Sequence, residues 1–290
     1  MIKELFISMR PKQWYKNLVL FIGILFSGNL LNLNLFIDSV VAFLIFCLLS
    51  GSIYLINDII DAEKDRKHPK KRNRPIPSGK LKVTHAVFFV IIFWIVAFTV
   101  AYFLNISFLG ISLAFIILML FYSFYLKNII IVDILVISSG FVIRAMAGAL
   151  AIGVFVSPWL IICAFLLALF LALGKRRHEL ILLKDEAKNH RKIMEGYTTS
   201  MLEQMITITT STLIMSYSLY TFFVGNIYLM LTIPFAFYGL FRYLLLIHSK
   251  NLGGEPELIF KDQGMVLSLV FWAIIVFIVV YGPKIIGIWE

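Results

Sequence analysis

Apolar residues run along the chain in stretches of about 20, each long enough to cross a bilayer core as a helix, with polar residues gathered between them. The runs predict membrane spans at 17–34, 38–57, 84–104, 107–126, 129–153, 158–174, 204–224, 227–247 and 264–282, nine in all. The first is diluted by Asn29, Asn32 and Asn34. The stretch before it, Met1–Asn17, is basic and aromatic without an apolar core, so it does not read as a cleavable signal. The pattern predicts an all-α integral membrane protein, a nine-helix bundle forming one domain over residues 1–290. Long polar loops are expected at about 58–83 and 175–203, and loops of that length in a compact domain are usually functional.

Composition agrees and removes the soluble alternative. The chain is 61% hydrophobic and 14% charged, with a mean hydropathy of +0.94. A water-soluble domain carries roughly 25% charged residues and covers its core with them. The net charge of +10 would suggest nucleic acid in a soluble protein. Here nearly all of the Lys and Arg fall on one set of span ends, with Lys284 on the other set and Arg144 inside a span. Basic residues stay on the cytoplasmic side, which puts the N-terminus and both long loops inside a cell membrane and the C-terminus outside. The charge is a topology signal, and no nucleic-acid partner is expected. Cys47 and Cys163 lie in apolar runs and read as packing residues.

The polar residues that carry chemistry begin at the end of the second span. Asn57, Asp61 and Asp65 are spaced i, i+4, i+8, with Asp58 at the edge of the stripe and Tyr54 a turn earlier. Like charges so placed repel unless a cation sits among them, and Mg²⁺ characteristically takes one or two carboxylates plus phosphate oxygens. A solvated helix end neutralised by Lys64, Arg66 and Lys67 is the plainer alternative. The next residues, His68-Pro69-Lys70-Lys71-Arg72-Asn73-Arg74-Pro75-Ile76-Pro77-Ser78-Gly79, form a basic row stiffened by three prolines. Carboxylates followed at once by a rigid row of Lys and Arg describe a site for a Mg²⁺-diphosphate, whose oxygens bridge the ion and the guanidinium forks. A positive-inside loop that touches anionic headgroups explains the charge, but neither the adjoining acids nor the prolines.

The segment Asn57-Asp58-x-x-Asp61-x-x-x-Asp65-Arg66 resembles the first Asp-rich motif of the UbiA superfamily of intramembrane prenyltransferases. Nine helices with two long cytoplasmic loops are similar to that family's architecture over essentially the full chain. The resemblance implies a cytoplasm-facing central cavity and Mg²⁺-dependent handling of a diphosphate. It makes Asn57, Asp58, Asp61 and Asp65 the expected metal ligands, and Tyr54, Arg66, Lys71, Arg72 and Arg74 the expected diphosphate contacts. Most members repeat Asp-x-x-x-Asp after the sixth span; here Gly174-Lys175-Arg176-Arg177-His178-Glu179-Leu180 stands there, with Asp185 and Glu186 further on. A second carboxylate pair would hold a second Mg²⁺, whereas Lys175, Arg176 and Arg177 would bind phosphate directly.

Three strings look like one branch of the family: Arg10-Pro11-Lys12-Gln13-Trp14-Tyr15-Lys16-Asn17, then Asp65-Arg66-x-His68-Pro69-x-Lys71-Arg72-x-Arg74-Pro75-Ile76, then Ser138-Ser139-Gly140-Phe141-x-Ile143-Arg144-Ala145. In that branch the diphosphate belongs to phosphoribosyl diphosphate and the acceptor is a polyprenyl phosphate, in the route to lipid-linked arabinofuranose. An anionic phosphate is already a nucleophile, so neither a general base nor a covalent intermediate is expected, and the protein's work is positioning and charge neutralisation. The other readings are a conventional transfer of a polyprenyl group to an aromatic or other acceptor, and a carrier for phosphorylated lipids. The missing second acidic motif weighs against the first, and the absence of an inverted repeat against the second.

Ionisable residues inside spans are costly and are candidates by default. Asp133 and Arg144 share a face of the fifth span about 16 Å apart along the axis, too far to pair. Arg144 is a candidate to hold a phosphate at the bottom of a polar cavity, against a structural pairing with a neighbouring helix. Asp133 is a candidate to orient ribose hydroxyls or a nearby Lys. Tyr122 and Lys127 are similar to the family's Tyr–Lys pair at the diphosphate, with the spacing leaving Tyr125 as the other choice. Lys16, beside Trp14 and Tyr15, is either an interfacial anchor or, by the branch resemblance, a contact for the lipid phosphate with Arg144. Gly148 and Gly153 suggest close helix contact in the fifth span. The run Gly253-Gly254-Glu255-Pro256-Glu257 to Lys261-Asp262 is expected to be a loop that closes over the site.

Overall fold

The computed structural model describes residues 1–69, 71–155, 157–183, 196–249 and 262–285. The chain forms two compact units, Met1–Lys127 with Gly140–Val156, and Asn128–Ser139 with Ser157–Glu290. All of the regular structure among the described residues is helical. Seven helical segments are long and apolar enough to cross a membrane: Leu33–Ile60, Val83–Leu104, Ile106–Phe124, Val132–Ala151, Pro158–Ile181, Ile227–Ser249 and Gln263–Ile285. The protein is thus a multi-pass membrane protein, and the outward-facing Phe88, Ile91, Ile95 and Phe103 of Val83–Leu104 present an apolar surface suited to lipid.

The first unit opens with α1 (Ile2–Ser8), a 3-10 segment Pro11–Phe21 and α2 (Ile22–Phe26), then α3 (Leu33–Ile60), α4 (Ala62–Lys67), α5 (Val83–Leu104) and α6 (Ile106–Phe124). The apolar run at 17–34 is therefore not one helix, and its asparagines give the reason. Gly28 turns the chain with φ of +71°, Asn29 donates to the Ser27 hydroxyl, and Asn32 becomes the N-cap of α3 by accepting from the amides of Asn34 and Leu35. That cap lets α3 begin at Leu33, well before the expected 38. Gly148 of α7 (Val132–Ala151) lies against the backbone of Leu20, where an added Cβ would stand 1.8 Å from the Leu20 carbonyl oxygen. Gly153 instead supplies a turn with φ of +65° and packs against nothing. Leu20, Ile24, Phe46, Leu49, Phe108 and Phe115 form the core. A smaller cluster, Leu5, Met9, Leu55, Ile76 and Leu81, anchors the basic loop and α1 to α3.

The second unit holds α8 (Pro158–Leu183), α9 (Thr199–Phe223), α10 (Ile233–Ser249) and α11 (Gln263–Ile285). Its core joins Ile134, Phe170, Leu173, Leu202, Ile206 and Tyr243. The run expected at 204–224 is helical as α9, and α9 is the long helix that misses the apolar criterion. Its Thr and Ser hydroxyls are returned to its own backbone: Thr207, Thr210, Ser211 and Thr212 each donate to the carbonyl four residues earlier. Cys47 and Cys163 are buried free thiols, as their apolar surroundings predict. Asp185, Glu186 and the expected closing loop from Gly253 to Lys261 lie outside the described residues.

Candidate functional site

In the first unit α3 carries Tyr54, Asn57 and Asp58 and stops at Asp61, which serves as both its C-cap and the N-cap of α4. The even stripe expected at 57, 61 and 65 is thus interrupted at Asp61, and the carboxylates divide into two groups. Asp58 and Asp65 meet at one nitrogen of Arg74: its Nη1 lies 3.2 Å from Asp58 Oδ1 and 2.6 Å from Asp65 Oδ2. Arg10 Nη2 also donates to Asp58 Oδ1, and Lys71 Nζ stands 3.9 Å from Asp65. Asp58 and Asp65 are buried, and buried carboxylates are tolerable only when paired in this way. Asp61 turns elsewhere and accepts from Lys127 Nζ through both oxygens, at 3.0 and 2.9 Å.

Arg10 is the member that sequence reasoning did not single out, although its string was noted. Its φ of +52° lies in the left-handed region. The following Pro11 disfavours the right-handed helical region for Arg10, and a non-glycine residue held there costs about 1–3 kcal/mol. The conformation ends α1 and sends the guanidinium over the Tyr54 ring, 4.8 Å from its centroid, onto Asp58. Of the other basic-loop residues, Arg66 is exposed and braces the loop by donating from Nε to the Pro77 carbonyl, and Arg72 is exposed. Tyr122 is half-buried, whereas Tyr125 is exposed against Phe124. Lys16 is half-buried in the 3-10 segment.

Arg144 lies deeper in the same unit. Its Nε donates to Asn17 Oδ1 at 2.8 Å and its Nη1 to the Gly140 carbonyl at 2.9 Å, while its guanidinium stacks over Phe115 and Phe141. Asn17 is fixed in turn by donating to Ser50 Oγ and Cys47 Sγ. The polar partner is an asparagine from the N-terminal segment, which spacing alone did not reveal.

The second unit contains a different arrangement. Asp133, fully buried, accepts from Arg176 Nη2 and from the Tyr197 hydroxyl at 2.9 Å. That hydroxyl accepts from the Ile131 amide at 2.7 Å, and Ile131 has a φ of +70°, a genuine outlier for a β-branched residue. Burial first, then the neighbouring Asp133 carboxylate, push the Tyr197 hydroxyl up to about 12, so it remains a donor at neutral pH. Arg176 Nη1 also reaches Glu179 at 2.8 Å. Arg177 is held by Glu203 at 3.0 Å and by the Ile247 carbonyl. Of the Lys-Arg-Arg run only Lys175 is exposed. Tyr197 and Glu203 were missed because their partners lie tens of residues away in the sequence.

Whether the donors suit a divalent ion depends on their number and kind. Among the described residues no three Asp, Glu, His or Cys side chains converge to hold a metal. The donors in question are all oxygens, and Asp61 with Asn57 a turn before it supplies one carboxylate and one amide. That set fits a hard ion such as Mg²⁺, which fills its remaining positions with water and phosphate oxygens, and does not suit a thiolate-seeking metal.

The profile described as "UbiA prenyltransferase family" matches residues 18–270. The chain is similar to the decaprenyl-phosphate phosphoribosyltransferase of Corynebacterium glutamicum, 33% identical over 285 residues, which span 94% of this chain and 86% of that protein. It is also similar to the protein of the same name in Mycobacterium tuberculosis, 30% identical over 274 residues, or 91% of this chain and 90% of that one. Among solved structures, a UbiA homolog from Archaeoglobus fulgidus bound to GPP and Mg²⁺ shares the fold with a TM-score of 0.73 at 18% identity, covering 96% of this chain and 99% of that one. The same homolog bound to DMAPP and Mg²⁺ gives 0.72 at 17% identity, with the same coverage.

Proposed function

Since the chain belongs to the UbiA prenyltransferase family, we propose that it moves 5-phosphoribose from phosphoribosyl diphosphate to a polyprenyl phosphate and releases diphosphate. The observation that carries this reading is the similarity, over more than nine-tenths of the chain, to proteins named for that transfer. The Lys-Arg-Arg run points the same way in that it stands where a second acidic motif would hold a second Mg²⁺, although Arg176 and Arg177 are committed to protein carboxylates and leave Lys175 as its exposed cation. The match from 18 to 270 runs through both compact units, which supports one family domain over the chain.

In this reading Asn57 and Asp61 would hold Mg²⁺, which when bound neutralises charge on the departing diphosphate. Lys127, already on Asp61, offers its ammonium to the same phosphate oxygens. Asp58 and Asp65 fix Arg74 and Arg10 rather than ligating the ion, and through them set the basic loop, with Lys71, Arg72 and Arg66 at its rim. Tyr54 supports Arg10 through its ring, and Tyr122 rather than the exposed Tyr125 adjoins the diphosphate. An oxygen of the lipid phosphate bonds to C1 of the ribose as the C1–oxygen bond to diphosphate breaks, and the electron pair leaves with the diphosphate. No proton has to be removed from the nucleophile, so no general base is assigned. Lys16 and Arg144 are assigned to the acceptor's phosphate, Arg144 being held ready by Asn17. Asp133 orients Arg176, with Lys175 exposed beside it for phosphate.

We further read nine crossings, with the Pro11–Phe26 segments and α9 completing the seven apolar helices, and a polar cavity open to the cytoplasm. The basic residues at one set of span ends support a cytoplasmic N-terminus and site and an external C-terminus in the plasma membrane. Purified protein incubated with Mg²⁺, labelled phosphoribosyl diphosphate and polyprenyl phosphate is expected to give a lipid-extractable pentose phosphate. Label that stays wholly in water, together with turnover of a polyprenyl diphosphate and an aromatic acceptor, would overturn the reading.

A further inference from the structure

In the first unit, at the end of α1, a cleft of about 430 Å³ opens between that helix and the basic loop, lined by Ile7, Ser8, Arg10, Asp58, Asn73 and Arg74. Asp61 and Lys127 are not among its walls. Ser8 is 1% exposed, and its hydroxyl is buried with no hydrogen-bond partner. A buried hydroxyl is rarely left so without a ligand or water to meet it. Arg10 and Arg74 each spend one terminal nitrogen on Asp58, yet their side chains are 29% and 31% exposed. A guanidinium carries five N–H donors, so each keeps donors beyond those its carboxylate uses. Asn73 is exposed at the rim and adds an amide. The left-handed backbone of Arg10 brings its side chain to this cleft, a strained placement of the kind found at binding sites.

Two guanidinium forks, a hydroxyl on the floor and an amide at the rim approach from several sides. That suits a tetrahedral anion with three equivalent oxygens better than a planar carboxylate. Asp58 is the one acidic wall, and its charge is matched by the two arginines. We infer that this cleft binds a phosphate monoester, separately from the diphosphate handled at Asp61. On the proposed function, on which this assignment of sources rests, two such groups are present: the 5-phosphate of the donor and the terminal phosphate of the acceptor lipid. The cleft volume admits a pentose phosphate. The exposed apolar side chains of Ile2, Phe6 and Ile7 on α1 equally place its mouth beside a lipid surface.

The test is a binding measurement that needs no turnover. Thermal shift and calorimetry on the full-length protein in nanodiscs would be titrated with ribose 5-phosphate, with polyprenyl phosphate and with Mg²⁺-pyrophosphate. The variants are Asn73→Asp, an exposed position that folding tolerates, and Ser8→Val, which fills the floor. Both are expected to weaken one of the two monoesters about tenfold or more, as a lost charge-assisted contact does, while Mg²⁺-pyrophosphate binds as in the parent. Loss in the ribose 5-phosphate arm assigns the cleft to the donor, and loss in the polyprenyl phosphate arm to the acceptor. Unchanged affinity for both monoesters in Asn73→Asp overturns the inference. Absence of pentose transfer by a parent protein that shows this binding pattern would remove the proposed function and leave the phosphate site standing.

Discussion

The two polar clusters use the same side chains in opposite ways. In the second unit Asp133 and Arg176 are both closed off from solvent, with Tyr197 on the carboxylate and Glu179 on the guanidinium, so the ion pair itself is out of reach of solvent. In the first unit Asp61 and the arginines on Asp58 remain between a quarter and a third exposed. An ion pair sealed on all sides fixes a fold, because breaking it strands a charge. One left partly open can exchange a protein partner for a substrate oxygen at little cost. On the proposed function this difference makes the second cluster a brace and the first a site, although both were candidates on the same ground of intramembrane or boundary charge.

The sharpest way to break this contrast is Asp133→Ala. It leaves the Arg176 guanidinium buried without its main partner and is expected to destabilise the protein by about 3–5 kcal/mol, read as a lower melting temperature in detergent. A variant that melts like the parent and loses only activity would make Asp133 a substrate contact. Asp61→Ala should behave in the reverse manner, with activity down by about 10²–10³, the usual cost of a lost electrostatic stabiliser, and melting unchanged. Removing the divalent ion with EDTA should give a comparable loss, restored by Mg²⁺; a chelator-insensitive rate would move the metal away from Asp61. Lys127→Ala, at the rim of the same group, is expected to cost about tenfold in kcat/KM, a loss of roughly 1.4 kcal/mol.

On stability, a smaller effect than that of Asp133→Ala belongs to Tyr197→Phe, which leaves the Ile131 amide and one Asp133 oxygen unmet and should cost about 1–3 kcal/mol. Its pH dependence has a definite sign. The hydroxyl is raised in the folded state to about 12 from an unfolded value of about 10. Its contribution is thus complete below pH 10 and lost as pH rises toward 12. Phenolate absorbance of parent and variant should differ by one tyrosine titrating at the alkaline end; a parent tyrosine of normal pKa missing from the variant would sink the assignment.

Much of this was legible in the sequence, and the rest was not for specific reasons. Apolar runs longer than a bilayer is thick located most helices, because a helix in lipid must satisfy its backbone internally. The asparagines near 30 were visible as dilution, yet their effect as a turn and an N-cap depended on backbone geometry. Asn57, Asp61 and Asp65 read as one stripe because periodicity assumes an uninterrupted helix, whereas the helix is interrupted at Asp61 and Asp61 and Asp65 have different partners. Arg10 on Asp58, Lys127 on Asp61 and Asn17 on Arg144 join positions 48, 66 and 127 residues apart. No local pattern encodes such pairings. Among Lys175, Arg176 and Arg177 the charge was plain and the use was not, since burial of two of them is decided by Asp133 and Glu203.

The hydroxyls that α9 folds back onto its own carbonyls bear on how the chain is made. A segment of modest hydropathy gains little from leaving the insertion machinery alone, while its neighbour α8, against which it packs, is strongly apolar in its membrane portion. Because Thr207, Thr210, Ser211, Thr212, Ser218 and Thr221 already answer their own helix, these hydroxyls need no complementary polar surface on that neighbour, only its company. The two therefore suit entry into the bilayer as a hairpin, with the greasier helix drawing in the one that carries Glu203.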